Sequence, residues 1–133
     1  MAKATGISKT LFDQHGRITG FKETFSTGKT TGFFEIVSHA YQYKTTAGAV
    51  WDWQQSSASD RTHGRKPTTV PKIGDHSAGF SLSQKNGSFT YVAYNIDFQR
   101  GTTDMIAAVI GVRGSVSMKQ VVRYAQIMAS RAH

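Results

Sequence analysis

Five histidines, His15, His39, His63, His76 and His133, are the chain's obvious candidates for metal or proton chemistry. No two of them stand four apart around a glutamate, the spacing by which one helix face holds zinc. Asp75-His76, beside Gly74, could meet His63 at a metal. An Asp next to a Gly more often builds a turn, its carboxylate accepting local backbone hydrogen bonds. Ser115 lies in Val112-Arg113-Gly114-Ser115-Val116, which reads as a loop before a capped helix and not as the strained elbow that exposes a nucleophile. Asp97 and Asp104 flank a hairpin in the manner of paired glycosidase carboxylates. Solubility and edge protection account more simply for acids at a hairpin end. Gly28-Lys29-Thr30 has the ending of a phosphate-binding loop, but Glu23 stands where its first glycine belongs, and a strand follows instead of a helix. The chain has no cysteine, which removes thiolate metal sites, disulfides and cysteine nucleophiles. No catalytic constellation, metal site or cofactor is therefore expected, and the protein reads as non-enzymatic.

Binding chemistry is better represented. Arg61, Arg65, Lys66 and Lys72 occupy a proline-containing loop, and Trp51 and Trp53 lie on the helix before it. Cations interleaved with aromatics suit nucleic acid, whose bases stack on rings while its phosphates pair with the charges. The formal net charge of +8, from 16 Lys and Arg against 8 Asp and Glu, points the same way. Yet the cations are scattered from Lys3 to Arg131 with no long run, as in a solubility charge. Tyr41, Tyr43, Tyr91, Tyr94 and Trp51 could line an apolar pocket. Cross-strand packing is their simpler role.

The elements that must position these groups are an α+β set. A chain of 133 residues suits a single domain, and eight Phe, five Tyr and two Trp suffice for a core. Residues 1–7 read as a loose leader, and residues 8–133 as the domain. A short helix is expected over Ser8–His15, with Ser8 as its cap and Gly16 as its end. Ile18–Ser26 and Phe33–Tyr43 form a hairpin across the turn Thr27–Gly32. Thr45 or Thr46 caps a helix from Ala47 to about Ser59, whose inward stripe would be Ala47, Val50, Trp51, Gln54 and Ala58. Gly48 weakens its first turn slightly.

Asp60–Lys72 is a loop, with a short strand around Thr69 and Val70. Three strands follow, Ala78–Ser83, Phe89–Phe98 and Asp104–Val112, joined by turns at Lys85-Asn86-Gly87 and Arg100-Gly101. Met105–Ile110 is apolar throughout, as in a strand covered on both faces. Ser117 and Gln120 form a capping box, with Val116 and Val121 as its hydrophobic staple, at the head of a C-terminal helix over 117–132. The whole is a single, mainly antiparallel sheet with helices packed on it.

Val70-Pro71-Lys72-Ile73-Gly74-Asp75, Phe98-Gln99-Arg100-Gly101 and Gly114-Ser115-Val116-Ser117-Met118 carry a resemblance to bacterial exported or lipoprotein-type domains without a described function. Gly16-Arg17-Ile18-Thr19-Gly20-Phe21 looks like the first strand entry of the same group, so the resemblance covers most of residues 11–132. More distantly, the order of elements is similar to PsbP-like domains, a central antiparallel sheet between helices. These resemblances imply binding or assembly, not a shared reaction. Exported members carry a signal segment, whereas Met1–Gly6 has no apolar stretch of that kind. An extracytoplasmic location, favoured over a cytoplasmic one, thus treats the chain as a trimmed mature domain. No stretch approaches the ~18 apolar residues of a membrane span.

The expectation is an extracytoplasmic domain that binds a small ligand or protein partner. Arg17, Trp53, Arg65, Lys66 and Arg100 are its exposed binding candidates. The alternative is a basic nucleic-acid-binding protein.

Overall fold

The computed structural model describes residues 9–26 and 34–132. The expected leader 1–7, the Ser8 cap, the turn Thr27–Gly32, Phe33 and His133 lie outside the described residues.

Among the described residues nine elements follow in order: α1 (Lys9–Gln14), β1 (Arg17–Ser26), β2 (Phe34–Tyr43), α2 (Thr46–Thr62), β3 (Lys66–Thr68), β4 (His76–Asn86), β5 (Phe89–Arg100), β6 (Thr103–Val112) and α3 (Met118–Arg131). The six strands make one sheet in the order β1-β2-β6-β5-β4-β3. Every neighbouring pair is antiparallel. The α+β expectation holds, C-terminal helix included.

Local chemistry sets the boundaries. Gly16 and Gly101 carry φ of +83° and +56°, where a side chain would be strained, and each turns the chain into a strand. Ser117 accepts from the Gln120 backbone N–H while the Gln120 side chain accepts from the Ser117 N–H, the capping box expected at α3. The short strand falls at Lys66–Thr68 and not at Thr69–Val70. Val70 instead packs against the core, its Cγ1 only 2.4 Å from where a Cβ on Gly79 would stand. Pro67 stands on this edge strand, where a sheet tolerates proline.

The two faces of the sheet are unlike. Under α3 lies an apolar core of Ile96, Phe98, Met105, Ala107, Val109, Val121, Ala125 and Ala129. The helix leaves part of that face open at β1, where Phe21 and Phe25 are 61% and 65% exposed. Under α2 the buried groups are largely polar: Asp52, Ser57, Asn95, Asp97, Gln99 and Asp104. The expected inward stripe of α2 is corrected here. Ala47, Gln54 and Ala58 are exposed, and Gly48, Ala49, Asp52 and Ser57 are buried. A helix seated on polar strands has no apolar periodicity to reveal its inner face.

Gly48 has a specific reason to be Gly. A Cβ there would stand 2.2 Å from the His15 carbonyl oxygen and 2.9 Å from Tyr43 Cδ1. Gly48→Ala gains about 1 kcal/mol of helix propensity. It must also push apart two backbones, and overpacking of that kind costs about 1–3 kcal/mol. The clash is with backbone, so it dominates: urea denaturation is expected to show a net loss, whereas a gain would mean that α1 moves freely.

Candidate functional site

Asn95, Asp97 and Gln99 alternate along β5 with Ile96 and Phe98, so the polar side chains face α2 while the apolar ones meet α3. Asp97 is 1% exposed and Asp104, on the neighbouring β6, is 0% exposed. The expectation that these two acids are surface groups at a hairpin end is overturned. Strand alternation turns both beneath α2, whose own acids Asp52 and Asp60 lie about two turns apart.

Each α2 acid meets a strand acid. Asp52 Oδ2 accepts from the Tyr43 hydroxyl at 2.5 Å and lies within hydrogen-bonding reach of Asp104. Asn95 Nδ2 donates to both Asp60 Oδ2 and Asp97 Oδ1, each at 2.9 Å. Arg65 Nη1 donates to Asn95 Oδ1 at 2.8 Å, and its Nε stands 3.4 Å from Asp60 Oδ1. Among the described residues Asp97 Oδ2 has no hydrogen-bond partner, and the Asp104 carboxyl has no well-formed one, with the Met105 backbone N–H beside it.

Burial raises the pKa of Asp97 well above the ordinary range, with the neighbouring Asp60 adding to the effect. Burial does the same for Asp104, reinforced by the charges of Asp52 and Asp97. Asp52 is raised by burial too, against the opposing Tyr43 hydrogen bond and Arg17 charge. The raised pKa values of Asp97 and Asp104 favour sharing of a proton within each buried pair, Asp104 with Asp52 and Asp97 with Asp60, because like charges repel where water is excluded. Burial and the Asp52 hydrogen bond likewise push the Tyr43 hydroxyl up.

Beside this layer, between α2 and the β1–β2 hairpin, opens a cleft of about 350 Å³. Its floor is apolar: Val37, Ile106, Ala108 and Ile110. Ser56, Ser59 and Asp60 form the α2 wall, backed by Arg65, Asn95 and Asp97. Lys22, His39 and Glu35 form the opposite wall. His39 Nδ1 lies 3.3 Å from the Tyr41 hydroxyl, and its buried Nε2 has no hydrogen-bond partner among the described residues. Burial, and then the Lys22 charge, lower the His39 pKa, so the ring is neutral near pH 7. Where the Tyr41 hydroxyl donates to Nδ1, Nε2 carries the hydrogen, and where Nδ1 donates to the hydroxyl, Nε2 is an acceptor.

Of the five binding candidates, Arg65 lines the cleft and Trp53 holds the backbone of Asp97. Trp53 Nε1 donates to the Asp97 carbonyl at 2.9 Å, and Arg65 holds Asn95 and Asp60. Both are half-buried, not exposed. Lys66 is exposed on β3, at a separate notch with Arg113 and Tyr94. Arg17 is also half-buried, its guanidinium between the rings of Phe12 (4.1 Å) and Tyr41 (3.9 Å). Arg100 is exposed and donates to the Ala129 carbonyl near the end of α3, a favourable place for a cation. Asp75 Oδ2 accepts from the Gly101 N–H at 2.9 Å, and His76 Nδ1 pairs with Gln99 Oε1 at 2.8 Å. Among the described residues no three His, Asp or Glu side chains converge as a metal site.

No protein-family model and no curated protein matches this sequence. Similarity is confined to shape. The extracellular domain of PknH from Mycobacterium tuberculosis superposes with a TM-score of 0.56 at 8% identity, over 96% of this chain and 74% of that one. A protein of unknown function from Pseudomonas aeruginosa gives 0.49 at 10% identity, over 87% and 85%. The PknH domain shares the fold. No helix among the described residues is long and apolar enough to cross a membrane.

Residue-type reasoning missed Asp52, Asp60 and Asn95, and singled out His39 only as one of five histidines, with no place in a cleft. The available signal was the polar alternation Asn95-x-Asp97-x-Gln99 in a strand otherwise built from core residues. A central strand with one polar face calls for an equally polar partner.

Proposed function

We propose that this is a non-enzymatic, extracytoplasmic domain whose α2–hairpin cleft binds a small ligand. The observation that carries the reading is the cleft itself, an apolar floor with hydrogen-bonding groups converging from two walls, the usual make-up of a small-molecule site. Its volume of about 350 Å³ falls in the range for such sites. The acids behind it are occupied by one another, by Tyr43 and by Asn95, which makes them scaffold and not acid–base catalysts. The location is supported by the shape shared with an extracellular domain.

The test is amide NMR during titration with a panel of small polar metabolites. Shifts are expected to concentrate at Ser56, Ser59, Asn95, Ala108 and Ile110, and to vanish in Ala108→Phe, which fills the floor. Shifts confined to other surfaces would sink the reading. So would binding to random DNA that weakens steeply with salt and leaves the cleft unperturbed, the signature of phosphate contacts.

A further inference from the structure

Acids and cations are sorted between the two faces of the sheet. The sequences of β3, β4 and α3 contain no Asp or Glu. The acids of β5 and β6, Asp97 and Asp104, turn beneath α2. On the other face, Lys66 pairs with Ser81 across β3 and β4, and Ser81 with Tyr94 across β4 and β5. Two residues along, Ser83 pairs with Val92. Residues in register point to the same face, and Val92 and Tyr94 pack with the core under α3. Together with Arg113 these side chains line a notch of about 320 Å³.

The hydrogen bonding of the notch leaves its donors free. Arg113 Nη2 donates to Ser83 Oγ at 2.9 Å. A guanidinium has only donors, so the Ser83 oxygen accepts here and the hydroxyl hydrogen remains for a ligand. Arg113 keeps its other N–H groups as well. Lys66 and Arg113 are exposed, and neither forms an ion pair among the described residues. No carboxylate among the described residues lines the notch to repel an anion.

We infer that this notch binds the phosphate group of a small phosphomonoester. Lys66 and Arg113 meet its oxygens, Ser83 donates a further hydrogen bond, and the organic part lies along Tyr94 and Val92. The two cations match the charge of about −1.5 to −2 that such a group carries near pH 7. A carboxylate or sulfonate, with a single charge, leaves one cation unmatched. The volume is that of a small-molecule site, so the organic part has room. The notch lies on the opposite face of the sheet from the α2–hairpin cleft and does not depend on it.

Amide NMR of the full chain at neutral pH, titrated with phenyl phosphate, benzenesulfonate and a random single-stranded oligodeoxynucleotide, tests the assignment. The first two probes share a ring and a tetrahedral head and differ in charge. Phenyl phosphate is expected to shift Lys66, Ser81, Ser83 and Arg113. It should bind at least about tenfold tighter than the sulfonate, the least that one charge-assisted hydrogen bond adds. Arg113→Gln and Lys66→Gln, both at exposed positions, should each weaken phenyl phosphate by about the same factor. Arg131→Gln removes an equal charge at the other end of α3 and should leave the affinity unchanged. Equal losses in all three variants reduce the binding to attraction by the net charge and overturn the site. So does equal affinity for the two small probes, or an absence of shifts at the notch. An oligonucleotide that displaces phenyl phosphate and weakens steeply with salt makes the notch part of a nucleic-acid track and overturns the small ester.

Discussion

Replacing Asp104 by Asn is expected to stabilise the protein at neutral pH, by about 1.4 kcal/mol for each unit that burial lifts the carboxyl's pKa above the ordinary aspartate value and below the working pH. The carboxyl is fully buried, and burial raises its pKa well above the ordinary range. The native state therefore holds a proton that the unfolded chain releases once pH passes the ordinary aspartate value. Stability then falls as pH rises, because the native state binds more protons than the unfolded one. Asp97 and Asp52, also raised by burial, act with the same sign. Each contribution is fully present below the unfolded pKa and is lost as pH climbs through the folded one.

His39 acts oppositely. Its folded pKa is lowered, so its contribution is present above the unfolded value and fades as the solution turns acid. One half-buried ring opposes three acids, two of them almost wholly enclosed, and the acids decide the sign. Urea midpoints should accordingly rise from pH 8 to pH 5. Each extra proton held by the native state contributes a slope of about 1.4 kcal/mol per pH unit. Asn at position 104 keeps a donor for Asp52 and removes one titrating proton, so the variant's profile should be flatter by about one proton's slope. A stability that rises with pH between 5 and 8, or a destabilised Asp104→Asn at pH 8, would falsify the proton-sharing account.

The carboxyl layer also shows where sequence reading succeeded and where it had to fail. Strand and helix positions were legible because turns and caps are local chemistry. Gly16, Gly101, Thr45 and the Ser117–Gln120 box act on the residues beside them. The α3 face was legible because Val121, Ala125 and Ala129 repeat with the helix period. The inner face of α2 was not, since its decisive residues are Asp52 and Asp60, which a hydrophobic pattern assigns to solvent. Their burial depends on Asp97, Asp104 and Asn95, which reach them only through pairings distant in sequence. The candidate site was half visible for the same reason. Arg65 and Trp53 attract notice as a cation and an aromatic; Arg65 lines the cleft, and Trp53 bonds the Asp97 carbonyl. His39 and Lys22 become a pair only when β1 registers against β2. Arg17 and Arg100, equally conspicuous as cations, are engaged within the fold by two aromatic rings and by a carbonyl near the end of α3.

Tyr43→Phe should be the most costly small change to this layer, at about 1.5–3 kcal/mol near neutral pH, as for a hydrogen bond to a charged group. The Tyr43 hydroxyl, in a side chain 1% exposed, donates to Asp52 Oδ2 at 2.5 Å. Phe fills the same volume, so packing is kept and only the donor is lost. That hydrogen bond opposes the rise that burial imposes on Asp52, so without it the Asp52 pKa climbs further. The sign follows. Where Asp52 is protonated the missing donor matters little, whereas as rising pH ionises it the carboxylate stands without its hydrogen-bond partner. The penalty should therefore grow with pH, read as a larger drop in urea midpoint at pH 8 than at pH 5. Combining Tyr43→Phe with Asp104→Asn should cost less than the sum of the two changes. The asparagine amide then always offers Asp52 a donor, and the two residues meet the same carboxylate. A penalty equal at both pH values, together with strict additivity, would show that Asp52 does not share its charge with Tyr43 and Asp104.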